Sequence, residues 1–166
     1  MNTAQVAAAL CVAILSFGAH AEVSKKDQEF FTKAGGGGLY EVEAGKLAQQ
    51  KGGSEAVKSY GAMLVKDHGA ANEELKALAK AKGAVLPEAV PADKQKRLEK
   101  IATAKDFDKE FVKEVGIDDH KMDIALFENT SKRADDAEVR AFASKTLPTL
   151  KAHKEHAEGL KKAHKH

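Results

Sequence analysis

Along most of the chain, apolar and small residues recur at alternating steps of three and four, the spacing that gathers them on one face of an α-helix. One stripe runs Phe31, Ala34, Gly38, Glu41, Gly45, Ala48, and a second runs Val57, Gly61, Leu64, His68, Ala71, Leu75, Leu78. A third gives Val112, Val115, Asp119, Met122, Leu126, and a fourth Val139, Ala143, Thr146, Leu150, His153, Ala157, Leu160. Boundary signals agree with them. Gly52-Gly53 stops the first helix, Ser54 caps the second, and Asp135 with Glu138 forms a capping box for the fourth. The pattern predicts helices near 25–51, 54–82, 106–131 and 135–163, and no strands.

Between the second and third helices lies a linker over 83–105 that holds Pro87 and Pro91 and a short helix over 92–102, with Pro91 suited to its first turn. Hairpin connections between helices usually take about 2 to 8 residues. This one is long enough to run the length of a bundle, so the expected fold is all-α: a ferritin-like four-helix bundle with one long crossover between helices 2 and 3. Gly35 to Gly38 would cost about 3 to 4 kcal/mol against alanines in a helix interior, so either neighbouring backbones approach closely there or the helix breaks, and close packing is the expectation. Pro148 should kink the fourth helix near Thr146.

Each stripe carries one ionisable residue: Glu41, His68, Asp119 and His153. A buried charge is costly unless paired or bound to a metal, so four such groups meeting in one core must satisfy one another. Three arrangements fit: a metal centre built from carboxylates and imidazoles, a hydrogen-bonded polar layer that fixes register, or helices rotated so that some of these groups reach water. Counting from the turns near residues 52 and 133 on helices of about 40 Å, the axial heights are about 24 Å for Glu41, about 16 Å for His68, about 21 Å for Asp119 and about 30 Å for His153. All lie mid-bundle, yet this spread exceeds one coordination sphere unless helices tilt or shift.

Asp67-His68 and Asp119-His120 repeat a dipeptide at the centres of the second and third helices. Adjacent helical residues point about 100° apart, so only one of each pair faces the axis. His120 has its own apolar flank in Ile117, Ile124 and Phe127, which makes it a rival to Asp119 as the inward residue. The candidate metal ligands are therefore Glu41, His68, Asp119, His120 and His153, for one divalent transition metal: Fe, Mn, Zn or Cu. His153 and His156 stand three apart, and His164 and His166 close the chain; the plainer reading of that end is a solvated last turn whose cations suit a helix C-terminus.

Composition narrows the remaining classes. Residues 1–21 hold no Lys, Arg, Asp or Glu, are mostly apolar from Val6 to Gly18, and end in Ala19-His20-Ala21, a form that signal peptidase accepts. The expected organisation is a signal peptide over 1–21, cleaved after Ala21, and one bundle domain over 22–166, periplasmic with outer-membrane association left open. The single Cys11 falls in that leader, so stability must come from packing rather than disulfides. Charged residues make up 31% but nearly cancel to +2, which argues against a nucleic-acid partner. No segment beyond the leader has the roughly 20 apolar residues that span a membrane, and a homo-oligomer or an envelope protein is the partner class that remains. Neither a Gly-x-Ser-x-Gly nor a phosphate-loop motif occurs, and no catalytic set is legible.

Several segments together carry a family likeness: Leu39-Tyr40-Glu41-Val42-Glu43-Ala44-Gly45-Lys46-Leu47-Ala48, Met63-Leu64-Val65-Lys66-Asp67-His68, Lys82-Gly83-Ala84-Val85-Leu86-Pro87, Asp119-His120 with Phe127-Glu128, and Leu147-Pro148-Thr149-Leu150-Lys151-Ala152-His153. The chain resembles, over about residues 26–160, a bacterial family of exported ferritin-like proteins of unknown function often labelled outer membrane proteins. That resemblance implies a bundle in the bacterial envelope with no established reaction, and its recurrent Glu, Asp-His, Asp-His and His positions fall on Glu41, Asp67 with His68, Asp119 with His120, and His153. Val65 and Leu150 stand where a di-iron centre needs the Glu of each Glu-x-x-His, so a di-iron oxidase is not expected. What remains is a metal-binding bundle, a structural or interaction module whose polar layer binds no metal, or an oxidoreductase with an open metal position.

Overall fold

The computed structural model describes residues 22–164, so the leader expected over 1–21 and the terminal His166 lie outside the described residues. Helix α1 spans Lys25–Lys51, α2 Glu55–Lys82, α3 Ala92–Ala102, α4 Phe107–Phe111, α5 His120–Arg133 and α6 Ala137–Ala163, with a π-helical segment, Val112–Asp119, joining α4 to α5. Among the described residues there is no strand, and the fold is all-α as expected. Helix α1 packs along α2, while α5 and the π segment pack along α6, and α2 closes against α6. No helix of the described residues is long and apolar enough to cross a membrane.

Caps fix the helix starts. Ser54 accepts from the Val57 N–H (3.2 Å), and Ser24 and Asp106 cap α1 and α4 in the same way. The expected capping box is displaced by one residue: Asp136, not Asp135, caps α6 by accepting from Glu138 and Val139, while Asp135 pairs with Lys26. Two further carboxylates, which sequence pattern does not reveal, tie the helix pairs together. Buried Asp27 in the first turn of α1 accepts the N–H groups of Asp135 and Asp136 (2.9 and 2.8 Å), in the loop that leads to α6. At the opposite end, Asp108 in α4 accepts those of Gly53 and Ser54 (2.8 and 2.9 Å), in the loop between α1 and α2. The linker after α2 thus carries the chain from the end where Lys82 meets Asp136 back to the end where α4 meets the α1–α2 loop.

The Gly35 to Gly38 run stays within α1 and is closely packed, but against side chains rather than the expected backbone. The neighbour, however, is mostly the linker: a Cβ on Gly36 would lie 2.8 Å from Pro91 and one on Gly35 3.0 Å from Leu86, while one on Gly38 would lie 1.9 Å from Asn72 Oδ1 of α2. The tight backbone crossing of α1 and α2 is elsewhere, at Gly45 and Gly61, where a Cβ on either would stand 2.6 Å from the other's carbonyl oxygen. Helix α6 continues through Pro148 as one element, with the Thr146 hydroxyl donating to the Phe142 carbonyl (2.9 Å).

The core forms two apolar clusters. One gathers Tyr40, Tyr60, Leu64, Phe111 and Val115, and the other Phe30, Phe31, Leu75, Phe127 and Phe142. On α2 the boundary falls between Leu64 and Leu75, and on α6 between Leu150 and Ala157; the stripe residues His68 and His153 occupy those gaps.

Replacing Gly45 by Ala should lower the unfolding free energy by about 1 to 3 kcal/mol, because both partners at the crossing are backbone. A Cβ on Gly69 meets nothing within 4 Å. Gly69→Ala should therefore add about 0.5 to 1 kcal/mol. Urea melts of the two variants check the pair, and equal effects would contradict the crossing.

Candidate metal centre

Three imidazoles, from α2, the start of α5 and α6, meet in the gap between the two apolar clusters. The ring centroids of His68, His120 and His153 are 5.2 to 5.5 Å apart, and one nitrogen from each lies within 4.8 Å of the others. All three side chains are buried.

The π segment brings His120 there. A π-turn carries more residues than an α-turn, so it rotates the downstream face relative to the α-helical register. In the first half of the segment, Val112 and Val115 point into the core as the stripe predicts; beyond its end, Met122 is 54% exposed and Phe127 is buried instead. The inward face has moved by one residue across the segment. Asp119 and His120 are both buried, on different sides of the rod, because Tyr40 of α1 and Arg97 of α3 cover the side that Asp119 faces. His120 joins the other imidazoles, whereas Asp119 accepts from the Tyr40 hydroxyl (2.8 Å) and from Arg97 of α3 (2.7 Å). Arg97 also binds Glu114 (3.0 Å), so the charge of Asp119 is engaged away from the imidazoles.

The axial spread foreseen from helix counting is not observed, because turns consume residues without helical rise. Ala134 and Asp136 have ψ of 144° and 132°, and α6 starts only at Ala137, as α2 does at Glu55. Counting from those starts brings His68 and His153 to within about 4 Å in height instead of about 14 Å.

Hydrogen bonds at the periphery decide which ring nitrogens carry protons. His120 Nδ1 lies 2.9 Å from the Val115 carbonyl oxygen, which can only accept, so this nitrogen bears the hydrogen. His153 Nε2 lies 2.9 Å from Asp67 Oδ2, and the same reasoning places its hydrogen there. In neutral rings the remaining nitrogens, His120 Nε2 and His153 Nδ1, are then both lone-pair acceptors, and they face each other at 3.2 Å. Among the described residues, buried His68 Nε2 has no hydrogen-bond partner. Tyr60 steadies the α6 side by donating to the His153 carbonyl (3.2 Å).

The rings are neutral at ordinary pH. Burial holds His68 well below the usual imidazole range, helped by the other two rings, and pushes His120 down to about 4 despite its bond to the Val115 carbonyl. His153 is also lowered by burial, with Asp67 opposing. Glu41 sits 3.8 Å from His120 Nδ1, the nitrogen on the ring face away from His153, and neither of its buried oxygens has a partner. Burial, reinforced by Asp123 and Asp119, pushes its carboxyl well above the usual range. Burial thus shifts Glu41 and His120 each toward its neutral form and away from an ion pair. Of the sequence candidates, then, His68, His120 and His153 converge, Glu41 stands behind His120, and Asp119 belongs to a separate ion-pair network. His156 is exposed, its ring against Tyr60, and His164 pairs with Asp106 at 3.1 Å. Sequence reasoning did not single out Asp67 as the partner of His153, nor Arg97; the repeated Asp-His dipeptide was the available signal for the first.

The chain belongs to the family described as a domain of unknown function (DUF4142), whose model matches residues 14–160. No match emerges among curated proteins. Among solved structures, the fold is similar to CopM in its Cu(II)-bound form, with a TM-score of 0.71 and 17% identity over 82% of this chain and 96% of that one. The Cu(I)-bound form of CopM gives a TM-score of 0.68 at 18% identity, over 80% and 93%. A DUF305 fragment from Deinococcus radiodurans gives 0.74 at 12% identity, over 86% and 99%. At such identities the likeness is one of fold, and nothing in it carries an outer-membrane label.

The raised Glu41 carboxyl has a definite linkage sign. Above pH 4.5 the unfolded chain releases this proton while the folded chain keeps it, so stability falls as pH rises toward the folded pKa. Glu41→Gln removes that dependence, and the stability advantage of the variant over wild type should grow from pH 4.5 upward. Urea melts across the range test it; a constant difference would mean that Glu41 is ionised in the fold.

Proposed function

We propose that the protein is a metal-binding protein of the bacterial envelope, exported by the leader that ends at Ala21, and that it holds one transition-metal ion, copper foremost, on His68, His120 and His153. The observation that carries this reading is the pair of facing lone pairs, His120 Nε2 and His153 Nδ1 at 3.2 Å, beside the unpartnered His68 Nε2. Two acceptors at that distance in a water-poor interior repel unless a cation or a proton lies between them. Metal-ligating imidazoles characteristically donate their other N–H to a carboxylate or a backbone carbonyl, the roles filled here by Asp67 and Val115.

The donor set supports copper over manganese or iron. Imidazole nitrogens suit copper, zinc and iron, whereas manganese favours oxygen donors, and divalent copper binds a given site more tightly than either zinc or ferrous iron. The fold likeness to CopM, described in Cu(I)-, Cu(II)- and Ag-bound forms, supports the same choice. Asp67 acts here as the orienting partner of His153, and Glu41 as a nearby carboxyl able to balance the cation's charge.

A second reading, a polar layer without metal, is favoured by the same 3.2 Å separation if a proton is shared between His120 and His153. Metal analysis of the untagged mature chain separates the two. We expect one copper per chain, lost in His68→Ala and His120→Ala, a Kd weakened by about 10- to 100-fold in Asp67→Asn, and a copper-dependent rise in Tm that a chelator reverses. If copper and chelators leave the Tm of wild type unchanged while His68→Ala still lowers it, the polar layer is the correct account.

A further inference from the structure

The proposed ligands are buried, so an ion needs a path to them, and two adjoining cavities mark one. The inner is a small space of ≈ 20 Å³ with His68, Asn72, Asp123 and Thr146 among its walls; of the three imidazoles only His68 lines it. The outer is a surface basin of ≈ 380 Å³ between α1, α2 and the linker, whose polar walls include Asn72, Glu73, Lys76 and Glu88. Asn72 and Leu75 line both, and Asn72 is the polar one of the two.

The seating of Asn72 depends on the glycine run. Its Oδ1 occupies the space over Gly38, 1.9 Å from where a Cβ would stand, so only glycine there admits the carboxamide. One residue earlier, a Cβ on Gly37 would lie 3.7 Å from Asp123 Oδ1, which places that carboxylate beside α1 at the inner cavity. Outside to inside, the polar groups succeed one another as Glu73 and Glu88, then Asn72, then Asp123 and His68. Apolar Leu75, Phe127, Phe142 and Leu150 form much of the remaining inner wall and offer a cation nothing.

We infer that metal ions reach the three histidines from this basin past Asn72, and that its carboxamide, seated on Gly38, sets the rate of passage in both directions. The inference rests on the metal reading of His68, His120 and His153 and adds to it the route and the residue that controls exchange. A side chain on the route but outside the coordination sphere alters association and dissociation by the same factor and leaves affinity unchanged, whereas a ligand or a structural prop alters affinity.

The test follows Cu(II) uptake by the apo mature chain in stopped flow, release to a chelator, and affinity by equilibrium titration. Asn72→Leu, which replaces the amide by a branched apolar group, should slow uptake and release alike by about tenfold, with Kd held within about twofold. Asn72→Ala, which opens the passage and keeps the helix, should speed both, and it decides the matter alone if the leucine variant does not fold. Unchanged rates in the alanine variant would overturn the route, as would a shift of Kd in step with one rate only. Failure of wild type itself to bind Cu(II) would overturn the metal reading, and the route with it.

Discussion

The structure turns on a contact that neutral histidines do not make comfortably. Val115 and Asp67 fix the protons of His120 and His153 on their outer nitrogens, so the inner nitrogens meet as acceptor against acceptor inside a shell of apolar side chains. Burial opposes the simple remedy of protonation by lowering all three imidazoles. A fold that needed only a polar layer would more economically turn one ring to donate. That the outer partners forbid this is the physical reason to read the cluster as a preorganised cation site.

Preorganisation of this kind needs helices that cannot slide, and the molecule supplies the constraint at both ends. Asp27 and Asp108 each accept two backbone N–H groups from a loop of the other helix pair, at opposite ends of the molecule. A charged acceptor shared between two amides makes stronger bonds than a neutral one, and each clamp is lost if either pair shifts along the axis. Between the clamps, the Gly45–Gly61 crossing holds α1 against α2 at backbone distance, which fixes Glu41 of α1 relative to His68 of α2.

Both sides of the rod that carries Asp119 and His120 are covered. With a single register, Asp119 and His120 would point about 100° apart and one would be on the flank. They do point to different sides, and the flank is buried as well: Asp119 lies in the Tyr40–Arg97 network supplied by α1 and α3, and His120 among the imidazoles. The ion pair with Arg97 also fastens α3, and through it the linker, to the rod that carries His120. Linker position and imidazole position are thereby coupled through adjacent residues, and the linker in turn covers the glycine face on which Asn72 is seated.

Much of this was legible along the chain. The 3–4 spacing of apolar residues gives the helices because burial of one face is a property of each helix alone, and the caps follow because they are local. The same spacing marked Glu41, His68 and His153 as inward, and all three are buried. Other features had no local signature. The π-turn depends on packing against α6, where Gly116 lies against Ala157 and Tyr60, so the third stripe misplaced Met122 and left Asp119 and His120 undecided. Heights of residues on different helices depend on how many residues each turn consumes, which only the folded loops set. Which carboxylate serves which imidazole depends on side chains 86 residues apart in the Asp67–His153 pair. Sequence alone therefore determined the all-α class, the approximate extent of most helices and most of the buried ionisable groups, Asp27 excepted, since each follows from the preferences of a single segment. The tertiary structure decided that three imidazoles meet, which nitrogens face one another, and that Asp119 does not join them, since these are relations between helices that no segment encodes by itself.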